Sequence, residues 1–362
     1  MRNGKKFRAI AAVMAMAVML CSCGSTGSTN NVTNGSTEST PGKLEKINVS
    51  HHPYIHGLPT QVAIDQGFYT ENGLDPQVTM YAGGAAQNEA VATNAWDVGT
   101  TGMAGAVTGL IGYDLKVIGI SASESATVDL WVRPDSPLAN TTGELKDYPN
   151  LKGTADEWKG ITVICQSASN CQLVLFATLE KFGLSKDDIN IVDMSVAQGF
   201  PAFKSGEADM VALWSPFGYQ AEELGWVKVS SAEDLGLDFY NIILATDDAI
   251  ENKPELVQKW LQTYQEGADY ITAHKDEAPQ WLYDFSMDEG ITTTLENCEK
   301  DIEYRPFATV EQQKEYMDDG QVLNQLLVFA EFLKNQGNIT QEDYDKLASG
   351  DCICTEFVDN LK

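Results

Sequence analysis

The sequence predicts an α/β chain of two lobes joined by two crossings, with a helical carboxyl-terminal tail. Three observations carry this. The chain has 362 residues, 43% of them apolar, more than one core usually absorbs and enough for two. From Lys46 to Val128 strand and helix patterns alternate, which argues for a parallel sheet flanked by helices. Finally, Asn94-Ala-Trp-Asp-Val-Gly-Thr-Thr-Gly-Met-Ala-Gly105 has a second copy of its pattern in Ser205-Gly-Glu-Ala-Asp-Met-Val-Ala-Leu-Trp-Ser-Pro-Phe217.

In each copy an Asp precedes a short apolar strand that breaks into a helix start. The first strand is Asp97 to Gly99, broken by Thr100, Thr101 and Gly102. The second is Met210 to Trp214, with Ser215 expected as the N-cap and Pro216 at the first helical position. Ligands in open α/β sheets bind outside the carboxyl ends of strands, so both breaks are expected to face one crevice.

At the amino terminus Arg2, Lys5, Lys6 and Arg8 precede the apolar run Ala9 to Leu20. This is an export signal, too short to span a bilayer. It ends in Leu20-Cys21-Ser22-Cys23-Gly24, which resembles the bacterial lipobox. Cys23 is the expected site of lipid attachment, because Leu20 is too large for the position before cleavage at Cys21. Gly24 to Gly42 is rich in Ser, Thr, Asn and Gly and behaves as a flexible coil. The expected division is a signal peptide at 1–22, a tether at 23–43, lobe 1 from 44–130 plus 246–362, and lobe 2 from 131–245.

Removing the signal's four basic residues from 24 leaves 20 against 52 acidic ones, a formal charge of −32. Nucleic acid is therefore not an expected partner, since phosphate binding needs a basic face. An odd number of Cys remains beyond the lipobox, so at least one thiol stays unpaired. Cys165 and Cys171 flank a short loop and are candidates for pairing. No zinc spacing is present, and neither a metal nor a cofactor is expected.

Along the body, Lys46 to Ser50 reads as the first strand and is followed by the loop His51 to Gly57. Pro59 opens a helix carrying Val62, Ala63, Phe68 and Tyr69 on one face and stopped by Gly73. Pro76 to Tyr81 is the second strand, and Gly83 and Gly84 turn into a helix running to about Thr93. Lys116 to Ile120 follows as a strand, and Leu130 to Val132 as the first crossing. In the second lobe Gly160 to Cys165 is a strand, Ser169 to Phe182 a helix, Ile189 to Met194 a strand and Gly199 to Lys204 a helix. Tyr240 to Ala245 is the expected return crossing. Helices then cover Pro254 to Ala273, Glu277 to Phe285 and Glu311 to Asn335, and are expected to buttress the first lobe.

Four segments converge on the crevice: Gly83 to Gln87, Thr100 to Ala104, Gln166 to Asn170 and Ser215 to Tyr219. Each starts a helix, and helix amino termini present unpaired N–H groups and partial positive charge. A small anion is the ligand this suggests, although Ser167, Ser169 and Thr101 also serve as ordinary caps.

Gly-Phe-Tyr-x-x-x-Gly-Leu at 67–74, Gly83-Gly-Ala-Ala86, Asp97-Val-Gly-x-Thr-Gly102, Lys116-Val-Ile118, Val132-Arg-x-Asp-Ser-Pro137 and Trp214-x-Pro-Phe217 together resemble the substrate-binding lipoproteins of nitrate/sulfonate/taurine-type ABC importers. The resemblance covers residues 46–218. It implies a type II periplasmic-binding-protein-like fold, a monomer, which closes on a small ligand and delivers it to an ABC permease with a cytoplasmic ATPase. Carried over by motif, the ligand contacts are Tyr54, Gly84, Ala85, Thr101, Gly102, Ser167, Ala168, Ser169 and Trp214. The implied location is the extracytoplasmic face of the cell membrane, through the Cys23 anchor, and the implied ligand is an organic sulfonate or similar small anion.

The chain also departs from that pattern. Ser215 stands where many members carry an acidic residue, so the usual partner of a ligand ammonium is missing. His51, His52 and His56 share one loop with no evident carboxylate or thiol, which favours cleft-lining histidines over a metal site. Tyr54, Trp131, Trp214 and Tyr240 could stack a flat ring, as a thiamine-precursor pyrimidine would require. An enzyme of pyrimidine or quinone-precursor synthesis on the same fold is the alternative class, and the export signal and absent catalytic motifs weigh against it. An extracellular sensor lobe would be followed by a membrane span and a signalling domain, which the sequence lacks.

Overall fold

The computed structural model describes residues 43–362. The signal, most of the tether and Cys23 lie outside the described residues.

Ten strands form two five-stranded sheets. They are β1 (Glu45–His51), β2 (Leu74–Met80), β3 (Val98–Thr101), β4 (Leu115–Ser123), β5 (Val128–Val132), β6 (Thr162–Ile164), β7 (Asn190–Val192), β8 (Met210–Trp214), β9 (Val227–Ser231) and β10 (Tyr240–Thr246). The first sheet has the order β2-β1-β3-β10-β4 and the second β7-β6-β8-β5-β9. In the first, β1 runs parallel to β2 and β3, whereas β10 is antiparallel to both β3 and β4. In the second, β6 runs parallel to β7 and β8, whereas β5 is antiparallel to β8 and β9. The purely parallel sheet expected from the alternation is thus corrected to a mixed one. The antiparallel strand in each sheet is the one the chain enters on arriving from the other sheet.

The crossings are shifted from their expected places. Leu130 to Val132 is the end of β5 and Tyr240 to Ala245 is the body of β10, each hydrogen-bonded on both sides. Both strands are buried almost throughout. A continuous apolar run is what a central strand covered on both faces requires, and such a run gives no alternation to mark it as strand. The chain passes between sheets at 124–127 and 232–239, through the single turns Ser125–Thr127 and Glu233–Leu235.

The sequence repeat has a structural basis. Asp97 accepts from the backbone N–H of Asn48 on β1 at 2.9 Å and donates its own N–H to Asn48 O at 2.9 Å. Asp209 does the same to Thr162 on β6, at 2.8 and 2.9 Å. Each Asp clips its strand to the neighbouring parallel strand and sets the register of the break that follows.

Two expected helices are each split in two. The helix from Pro59 is Leu58–Asp65 and Phe68–Glu71, separated by Gly67 at φ +82, and the helix from Glu311 is Val310–Asp318 and Gln321–Asn335, separated by Gly320 at φ +77. Glycine takes this left-handed conformation without steric cost. Pro254–Ala273 forms as expected and packs on Leu58–Asp65, and Gln321–Asn335 packs on Met103–Gly112. Cys165 and Cys171, candidates for a disulfide, are free buried thiols.

The helices Gly84–Val91 and Met103–Gly112 touch backbone to backbone. A Cβ at Gly84 falls 2.6 Å from Gly105 Cα, while a Cβ at Gly112 meets nothing within 4 Å. Gly84→Ala is expected to lose about 1–3 kcal/mol by forcing the helices apart, and Gly112→Ala to be neutral or slightly stabilising. Urea unfolding of the two variants checks this; equal effects would sink the close-contact argument.

Candidate ligand-binding site

A cavity of about 260 Å³ opens between the carboxyl ends of the strands of the two sheets. β1 delivers His52, Tyr54 and His56 to it; Gly84 and Ala85 begin the helix after β2, Thr101 ends β3 and Gly102 is the N-cap of the helix that follows. From the second sheet, β6 leads into Ser167, Ala168 and Ser169, and β8 ends on Trp214. All nine residues expected as ligand contacts line this one cavity.

Several take roles that the sequence leaves open. Ser169 caps Asn170–Lys181, accepting from Gln172 N at 3.3 Å while donating to Gln166 O at 2.7 Å. Ala168 sits at φ +48, an uncommon conformation for a residue with a Cβ. Thr101 belongs to β3 rather than to the break, and its Oγ1 is buried without a partner. Trp214 Nε1 is buried beside the Tyr54 hydroxyl without the geometry of a full hydrogen bond. The two rings meet edge to face, centroids 6.2 Å apart.

Ser215 is not the N-cap of the following helix; Pro216 holds that position ahead of Phe217–Glu223. The Ser215 hydroxyl instead accepts from Arg305 Nη1 at 2.9 Å, a partner from the helical tail that outcompetes local capping. Of the four aromatic residues proposed to stack a ring, Trp131 is buried on β5 and Tyr240 packs edge-on against Tyr316 at 4.9 Å. Neither lines the cavity.

Arg305, Glu124, Asn170 and Asn88 also line the cavity. Arg305 lies 3% exposed. It donates to Ser123 O at 3.1 Å, Glu124 Oε1 at 3.1 Å and Asn241 Oδ1 at 3.2 Å, and Asp301 stands 3.7 Å away. Asn170 bridges the two sides: its Oδ1 accepts from Ala104 N at 3.2 Å and its Nδ2 donates to Glu124 Oε2 at 2.7 Å. Outside the cavity, Tyr219 donates to Asp301 at 3.2 Å, and Lys300 pairs with Glu222 at 3.0 Å. A sequence signal for Arg305 existed: it and Arg133 are the only arginines between residues 43 and 362.

The histidines form a buried, uncharged network. His51 Nδ1 and His56 Nδ1 both lie 2.7 Å from Thr100 Oγ1, and His51 Nε2 lies 2.7 Å from Thr60 Oγ1. Thr100 has one hydroxyl hydrogen, so at least one imidazole donates to it. Gln87 Nε2 donates to Ser50 Oγ at 2.8 Å and to Thr100 O at 3.1 Å. That orientation turns Gln87 Oε1 toward His52 Nε2 at 3.0 Å; His52 donates there, leaving Nδ1 an acceptor. Burial, with repulsion from His52, lowers His51 to about 3; burial lowers His52 to about 4 against its bond to Gln87. His56 is held well below its usual value by burial and by His52, Arg305 and His51. Among the described residues no group of three or more His, Cys, Asp or Glu side chains is placed to hold a metal ion.

Residues 56–278 match the family model described as NMT1/THI5 like. The chain belongs to the NMT1/THI5-like family. A relative from Brachyspira hyodysenteriae, provisionally named an ABC transporter periplasmic binding protein, is 27% identical over 84% of this chain and 86% of its own length. Two solved structures share the fold. The periplasmic aliphatic sulphonate binding protein of Escherichia coli matches with a TM-score of 0.66 and 18% identity, over 83% of this chain and 91% of that one. The alkanesulfonate-binding protein of Xanthomonas axonopodis pv. citri, solved bound to MOPS, has a TM-score of 0.66 and 16% identity, over 86% and 98%. With this family, this fold and a cavity between two sheets, the NMT1/THI5-like chain is a solute-binding protein.

Proposed function

We propose that this NMT1/THI5-like protein is the lipid-anchored, extracytoplasmic receptor of an ABC importer, holding a small organic molecule between its two lobes for delivery to the permease. The observation that carries the reading is the convergence of the nine expected contact residues, from the ends of five strands of two sheets, on one cavity. The Brachyspira relative's name supports the importer partnership. Attachment through Cys23, export and the tether rest on the sequence pattern alone. The reading is of a binder and not an enzyme, since the lining presents neutral imidazoles and an internally paired Arg305, without an activated nucleophile.

The names of the sulfonate-binding proteins favour an organic sulfonate. The geometry favours the other class, a flat nitrogen heteroaromatic: Tyr54 and Trp214 form an aromatic wall, and the cavity's cation, Arg305, is already matched by Glu124 and Asp301. Binding of a solute to the native state alone stabilises it, by about 2.7 kcal/mol at a hundred times its dissociation constant. Thermal unfolding of the full-length chain, screened against alkanesulfonates, nitrate and aminopyrimidines, is expected to show an upward shift of a few degrees with one class and none for Trp214→Ala. Should no compound of any class shift the midpoint, the receptor reading fails.

A further inference from the structure

The geometry points to Glu124 as the residue that decides what the cavity accepts: it selects a ligand presenting a cationic or N–H-donating nitrogen, such as an amidine or amino-heterocycle, and rejects free anions. This rests on the cavity being the ligand site proposed above.

The case is one of charge and of a carboxylate held in place. Glu124 closes the first sheet immediately after β4 and lines the cavity, its side chain 13% exposed. Its two oxygens are each fixed, Oε1 by Arg305 and Oε2 by Asn170, so the carboxylate is held still while its remaining lone pairs are free to accept. Arg305 does not cancel it, because the same guanidinium also faces Asp301 at 3.7 Å. Two carboxylates share one buried cation. The other lining groups add no positive charge: His52 and His56 are neutral through burial, Glu89 is acidic, and among the described residues no lysine lines the cavity.

Three of the backbone donors that the helix starts offer an anion are taken. Ser167 N donates to Asp193 Oδ1 at 2.9 Å, Ala168 N to Gln172 Oε1 at 2.9 Å and Ala104 N to Asn170 Oδ1 at 3.2 Å. The charged group left facing the ligand is an acceptor, the Glu124 carboxylate, and His52 has spent its donor on Gln87; the unpartnered Trp214 Nε1 and Thr101 Oγ1 are neutral. An anion entering here meets a like charge in a poorly solvated space, where repulsion is strong. A nitrogen donor meets a carboxylate already oriented to receive it.

The test uses two probes with one ring and opposite head groups, benzamidine and benzenesulfonate, titrated calorimetrically into the full-length chain at pH 7. Benzamidine is expected to bind at least tenfold more tightly. Glu124→Gln is expected to weaken benzamidine at least tenfold and to leave benzenesulfonate unchanged or tighter. Glu124→Asp, which keeps the charge, is expected to keep the preference, and it guards against a Gln variant that fails to fold. If benzenesulfonate binds the wild type more tightly and Trp214→Ala abolishes that binding, the receptor reading stands and the role given to Glu124 is overturned. If neither probe binds, nor any compound of the broader screen, both are overturned. Equal loss of both probes in Glu124→Gln also overturns it, since that marks a merely structural carboxylate.

Discussion

Between pH 6.5 and pH 4.5 the protein is expected to lose folding stability, on the order of a few kcal/mol. The cause is the trio His51, His52 and His56. Each is buried, and each has a folded pKa below its unfolded value of 6.5, to about 3 for His51 and about 4 for His52. Above pH 6.5 neither state carries these protons and the trio adds no pH dependence. As pH falls through 6.5 the unfolded chain takes up protons that the folded chain refuses, so stability drops until the folded values are reached.

Asp129 opposes this. Burial raises it to about 7, against the pull of Lys228 at 3.7 Å. Between its unfolded value near 3.8 and 7 the folded state keeps a proton that the unfolded state has released. Asp129 therefore destabilises progressively as pH rises through that window, by roughly 4 kcal/mol in full. Three histidines outweigh one aspartate as pH rises through 6.5, so stability is expected to climb from acid pH and level off above about pH 7. The lowered carboxylates Asp114, Asp188 and Asp343 act only below about pH 4. Urea unfolding from pH 4.5 to 8.5 checks the shape. His51→Gln should flatten the acid side and Asp129→Asn should steepen it; a profile level from 6.5 to 4.5 in the wild type sinks the account.

The parts of the fold legible in the sequence are those fixed by local rules. Asp97 and Asp209 announce their strands because each clips the same backbone group of a neighbour, so the repeat survives in sequence as well as in space. Ser169 and the glycines at 83 and 84 mark helix starts for local reasons, and the cavity contacts follow from them. The crossings are not legible in the sequence because β5 and β10 are buried on both faces, which erases the period that identifies a strand. Glu124, Arg305 and Asn170 carry no local signature. Arg305 reaches Glu124 across 181 residues and Ser215 across 90, and only the packing of the helical tail on the two crossings brings them together.

That same packing makes Arg305 the most consequential single side chain. Its guanidinium serves β4 through Ser123 O, the first crossing through Glu124, β10 through Asn241, the end of β8 through Ser215 and its own helix through Asp301. Arg305→Met removes the only cation that, among the described residues, faces the Glu124 and Asp301 carboxylates, and breaking a buried pair from one side costs about 3–5 kcal/mol because the remaining charge is uncompensated. Urea unfolding is expected to show that loss. Arg305→Lys should lose less, since it keeps the charge while giving up the planar fork. The decisive variant is the triple change Arg305→Met, Glu124→Gln, Asp301→Asn. If the cost is the stranded charge, neutralising both carboxylates recovers most of the stability, even though every bond to the guanidinium is still missing. If the triple variant is as unstable as Arg305→Met alone, the loss lies in the hydrogen bonds to Ser123, Asn241 and Ser215, and Arg305 acts as a clamp between the sheets instead of a counter-ion.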